Sequence, residues 1–143
     1  LHFACNAAAA FVEEVSAGGP PLMKRLACDA TARYLLRQWV RRFVRTPPKQ
    51  LQQAAGLDRA LLADAAALTL WGEACGAAAG WSGSERDPVR PWREVLAILR
   101  EPPPKERLAA HAANLEDLLG EKLSRALVSV AHKVTKERLA ARR

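Results

Sequence analysis

Apolar residues in this chain recur every three to four positions, and proline or glycine interrupts the pattern at short intervals. A period near 3.6 buries one stripe of a helix and cannot line one face of a strand, so the repeat restricts the chain to helical architectures. No segment alternates apolar and polar residues between turn signals, as a half-buried strand would. Alanine, leucine and arginine, all helix-favouring, are abundant, whereas isoleucine occurs once, at Ile98. The 143 residues, half of them hydrophobic, suffice for one core. The expectation is a single all-α domain over 1–143: about six helices in a small irregular bundle with Pro/Gly-rich connections.

The breaks divide the chain. A first helix is expected over 1–16, its stripe formed by Phe3, Ala7, Ala8, Phe11, Val12 and Val15, ending at Gly18-Gly19. A long helix follows over 22–45. Thr46-Pro47-Pro48 then ends it, with Thr46 as N-cap of a short helix reaching Gly56. Asp58 can cap a further helix running to about residue 79. The Gly-, Ser- and Pro-bearing stretch 81–90 is expected to be a flexible loop between two helical halves, with Trp81 and Trp92 exposed near it. After a helix over 91–100 and the Pro102-Pro103-Pro104 break, 105–142 should be helical with a bend at Gly120.

Residues 60–79 approach bilayer length but contain Asp64 and Glu73. Each acid at a bilayer centre costs ~2.5–3.5 kcal/mol, so a buried core helix is expected and the chain should not be transmembrane. The two acids should pair with arginines from elsewhere in the fold, for example those of the 86–100 region.

The sharpest functional feature lies on the long helix. At ~100° per residue, Arg33, Arg37, Arg41 and Arg45 step round one side, with Tyr34, Gln38 and Arg42 beside them. Cys28, Ala32, Leu35, Leu36, Trp39, Val40 and Phe43 fall opposite. No acid occurs over 30–57, and that window carries +6 of the net +7: five arginines plus Lys49. Guanidinium forks bind phosphate oxygens bidentately, and Tyr34 can stack on a base. Arg33, Tyr34, Arg37, Arg41, Arg45 and Lys49 are therefore the candidate anion-binding residues, the partner being RNA phosphate, anionic lipid or an acidic protein. An ordinary solvated face is the competing expectation. A second cationic surface, with Lys122, Arg125, Lys133 and Lys136, suits a solvated helix C-terminus.

Gly72, Gly76 and Gly80 repeat at four-residue spacing among alanines, a candidate small-residue packing strip on one helix face. Catalysis finds no support. There is no Walker loop, dinucleotide-binding glycine pattern, zincin motif or nucleophile elbow. His2, His111 and His132 lack ligand spacing, and Cys5, Cys28 and Cys75 stand far apart. No catalytic residue, metal, cofactor or small-molecule substrate is expected, and the cysteines should be buried and inert. The run Arg33-Tyr34-Leu35-Leu36-Arg37 superficially resembles the Leu-Tyr-Arg signature of small helical mitochondrial assembly factors, but the order differs and assigns no family.

Together these features point to a non-catalytic accessory subunit among other protein subunits of a large assembly, of the respiratory-chain or ATP-synthase type, with the arginine helix facing an anionic partner. A start at Leu1 is compatible with removal of a mitochondrial targeting segment. The alternative is an RNA-binding helical protein such as an organellar ribosomal subunit. The fold expectation has a direct check: circular dichroism should show deep helical minima and no strand component.

Overall fold

The computed structural model describes residues 2–53, 56–81 and 87–141. Among these there are nine α-helices, one 3-10 turn and no strand, so the chain is all-α. The helices are α1 (His2–Ser16), α2 (Pro21–Arg45), α3 (Pro48–Gln53), α4 (Leu57–Ala74), α5 (Ala78–Trp81), α6 (Arg90–Arg100), α7 (Leu108–Ala113), α8 (Glu116–Leu119) and α9 (Glu121–Ala141). The 3-10 turn spans Lys105–Arg107, ahead of α7.

The excess over six helices comes from breaks that act more strongly than periodicity alone suggests. The segment expected to be one helix to residue 79 ends at Ala74, where Gly76 adopts φ 75°. The Ala77 N–H donates to the Gly72 carbonyl at 2.8 Å and the Gly76 N–H to that of Glu73 at 3.0 Å, which satisfies two otherwise unpaired carbonyls. The last third breaks twice rather than once: at Asn114–Leu115, and at Gly120 with φ 80°. Thr46 closes α2 instead of opening α3, its hydroxyl donating to the Arg42 carbonyl at 2.7 Å.

α9 is the hub. It packs against α2 and α3 from the first half of the sequence and against α6, α7 and α8 from the second. The two halves therefore share one core, with Leu127, Val128, Ala131 and Val134 of α9 buried in it. Ser124 and Thr135 lie in the same interface, and each returns its hydroxyl to a backbone carbonyl, Glu121 at 3.0 Å and Ala131 at 2.8 Å. α1 packs on α2 and α4 through Cys5, Ala8, Val12 and Ser16. Ala7 and Phe11, both expected on the buried stripe, are exposed; the buried side of α1 runs instead through Cys5, Ala8, Val12 and Ser16. The side chains of Phe3 and Val15 lie outside the described ones.

Neither expected exposed tryptophan is exposed. Trp92 is fully buried on α6, its ring 4.5 Å from that of Trp39, which in turn stacks on Phe43 at 5.3 Å. Trp81 is 4% exposed. An indole beside a loop is still the largest apolar area available, and burial removes it from water. The loop residues 82–86 themselves lie outside the described residues. Asp64 accepts a hydrogen bond from the Trp39 indole at 3.0 Å rather than meeting an arginine, and Glu73 is exposed. Among the described residues no helix is long and apolar enough to cross a membrane.

Trp92 supports two helices at once, so its loss should be severe. Trp92→Ala is expected to destabilise the fold by ~3–5 kcal/mol in urea denaturation, whereas Leu70→Ala, at a 65% exposed position, should change it by less than ~0.5 kcal/mol.

Candidate anion-binding face

α2 runs unbroken for 25 residues from Pro21, and Cys28, Ala32, Leu36, Val40 and Phe43 bury one side of it. That anchoring fixes which way the opposite side points. Arg33, Arg37, Arg41, Arg42 and Arg45 are all exposed, with Tyr34 63% exposed among them. From Arg33 to Arg45 the row extends ~18 Å at 1.5 Å per residue.

Four cations outside the row meet a carboxylate. Lys24 meets Glu13 at 2.6 Å, Arg93 meets the buried Asp87 at 3.0 Å, Arg125 meets Glu121 at 2.7 Å and Arg138 meets Asp58 at 3.6 Å. Among the described residues no ion pair includes Arg33, Arg37, Arg41, Arg42, Arg45 or Lys49. Lys49 is exposed but sits on α3, beyond the Thr46-Pro47 break, so it does not extend the α2 row. The C-terminal cationic surface is partly neutralised through Arg125 and Arg138.

Extending the wheel towards the start of α2 reveals residues that the arginine pattern hid. Leu22, Met23 and Leu26 are exposed, Leu22 at 64%. They share the arginine side, so this arc of α2 is apolar in its first turns and cationic afterwards, with Lys24 and Arg25 lying outside it. Leu26, Ala30 and Arg33 also line a cavity of about 220 Å³ closed by Asp29, Trp81 and Pro88. The signal was present in the sequence as leucines at helical spacing N-terminal to Arg33.

The glycine strip does not form one face. Gly72 lies in α4, Gly76 in the turn after it and Gly80 in α5. The Trp81 ring lies on Gly72, where a Cβ would come 2.1 Å from it, and the Arg25 guanidinium lies on Gly80. Gly72 and Gly80 thus serve contacts within the chain.

For chemistry, the described residues offer little convergence. His111 Nδ1 meets Glu94 at 2.5 Å, joining α7 to α6, a pairing no local spacing announced. No group of three His, Cys, Asp or Glu residues comes together among the described residues to hold a metal. All three cysteines are buried and free, as expected. Burial pushes the Cys28 thiol far above its ordinary value of 9.0, helped by the hydrogen bond and charge of Cys75; burial likewise raises Cys5. Raised thiols are poor nucleophiles.

Comparison with known protein families, with curated proteins and with solved structures returned no match.

The Cys28 shift has a signed consequence. The folded chain keeps a proton that the unfolded chain releases near 9.0, so this contribution to stability is complete below that pH and declines as pH rises above it. Chemical denaturation between pH 8 and 10.5 (about the range that brackets an unfolded thiol) should show a steeper loss for the native chain than for Cys28→Ala.

Proposed function

We propose that this chain is a non-catalytic, structural subunit of a larger assembly, held there by contact between the arginine face of α2 and an anionic partner. The supporting observation is the concentration of unpaired charge: Arg33, Arg37, Arg41, Arg42 and Arg45 are all exposed on one helix, none meets an acid among the described residues, and residues 30–57 contain no acid at all. A rigid helix presenting guanidinium groups at four-residue intervals pre-organises several charge-assisted hydrogen bonds, which lowers the entropy cost of forming each.

A second function, binding RNA phosphate, is favoured by one feature, the exposed Tyr34 ring within the arginine row. The two separate by salt and by ring removal. An RNA complex should weaken in log–log proportion to salt with a slope close to the number of phosphates neutralised, and Tyr34→Ala should cost a further ~1–3 kcal/mol.

The deciding variant is Arg37→Gln with Arg41→Gln. Both side chains are exposed, so helicity by circular dichroism should be unchanged, while retention in the native assembly during sedimentation should fall by at least ~tenfold. Normal incorporation of this variant would mean that the face is only solvated.

A further inference from the structure

We propose that the exposed side of α2 is a two-part docking surface for an acidic amphipathic helix of another protein. Its apolar end seats on Leu22, Met23 and Leu26, and its carboxylates pair with Arg33, Arg37 and Arg41. The proposal rests on the reading that the α2 arginines contact an anionic partner, and names which one.

At ~100° per residue, Leu22, Met23, Leu26, Arg33, Tyr34 and Arg37 fall within an arc of roughly 120°. All six are exposed. Along the axis the apolar residues come first and the arginines second, and the two groups share that arc instead of flanking one another. Three classes of anionic partner make different demands on such a face. Nucleic acid supplies phosphates for the arginines but leaves Leu22 at 64% and Leu26 at 55% exposed with nothing apolar to meet. A bilayer surface takes helices that are apolar along their whole length, with cations on the flanks. Here Arg37 occupies the middle of the arc, where such a helix needs an apolar residue. A protein surface that passes from apolar to acidic satisfies both ends.

The composition agrees. Methionine, tyrosine and arginine on this arc are residue types enriched in protein–protein contacts, with Asp29 in the cavity wall beside Arg33. The cavity of about 220 Å³ sits at the junction of the two parts, lined by Leu26, Asp29, Ala30, Ala32 and Arg33 of α2 together with Trp81 and Pro88. It offers a socket for one apolar anchor of the partner. Beyond it, carboxylates repeating every three or four residues on a helix packed alongside match the four-residue arginine spacing.

The test uses the full-length protein in its source cells, with the photo-cross-linker p-benzoylphenylalanine replacing Met23 in one variant and Arg41 in another. Both should cross-link to one segment of one protein, mapped by mass spectrometry. That segment should be apolar where Met23 attaches and carboxylate-rich where Arg41 attaches. Cross-links to RNA or lipid, to unrelated segments, to a basic segment, or to nothing overturn the proposal. A second pair of variants separates its failure from that of the underlying reading. Leu22→Asp with Leu26→Asp changes only exposed positions and should lower retention in the assembly by at least ~tenfold. If that variant is retained while Arg37→Gln with Arg41→Gln is lost, the arginines bind an anion but the apolar half is not part of the contact. If the glutamine variant is retained, the arginine reading itself has failed. Lipid is checked with vesicles of phosphatidylcholine and phosphatidylserine at about three to one: tight binding that Leu22→Asp with Leu26→Asp abolishes would replace the protein partner with a membrane.

Discussion

Trp39 ties three helices together. Its ring stacks on Phe43 one turn along α2 and packs against Trp92 of α6, and its indole N–H donates to Asp64 of α4 at 3.0 Å. The contacts with Trp92 and Asp64 restrict how far α2 can rotate about its own axis, because an indole has one N–H and one plane. Asp64, which as an isolated charge would be costly against an apolar helix, is satisfied by that same N–H. With Trp39 held, Cys28, Ala32, Leu36 and Val40 must face inward. The arginine row then has no alternative to solvent. The candidate site is thus a consequence of the core on the other side of the helix.

Small side chains let the remaining elements close around this arrangement. α4 stops at Ala74, Gly76 reverses the backbone, and α5 returns so that the Trp81 ring covers Gly72. The Trp81 indole N–H reaches Asp29 on α2 at 2.5 Å, which fastens the returning turn to the helix that carries the arginines. Asp29 and Asp64 therefore do similar work at two places along α2: each accepts from an indole across a helix boundary. Asp29 also forms part of the cavity wall beside Arg33, so the shape of the docking socket depends on the same contact that holds Trp81.

The rotation of α2 was legible in the sequence because a long helix averages its periodicity over many turns: Arg33, Arg37, Arg41 and Arg45 are exposed, and Cys28, Ala32, Leu36, Val40 and Phe43 are buried, as spacing requires. The cysteines were legible for the same reason, being set among small apolar residues. Short-range punctuation was read less well. Gly72, Gly76 and Gly80 share a face only if the helix continues, and the left-handed conformation at Gly76 ends it. Trp81 and Trp92 were misplaced because proximity to a loop in sequence says nothing of what the third dimension brings against a ring. Asp64 found an indole and His111 found Glu94, both across 17 or more positions. Such partners are set by packing of distant helices, which no local pattern encodes.

The arrangement of charge has an energetic side that bears on why the row is there. Arginines four residues apart repel along a helix by ~0.2–0.5 kcal/mol per pair, and Arg33, Arg37, Arg41 and Arg45 make three such neighbours. The chain does place acids beside other cations, as Glu121 beside Arg125 on α9 and Glu13 beside Lys24 across α1 and α2 show. Over residues 30–57 it places none. In isolation, then, α2 carries a small self-repulsion and three exposed apolar side chains, and the buried side of the helix must offset both. Carboxylates arriving on the basic half would remove the first cost, and an apolar surface on the N-terminal half would remove the second. One partner with both features relieves the whole face in a single contact.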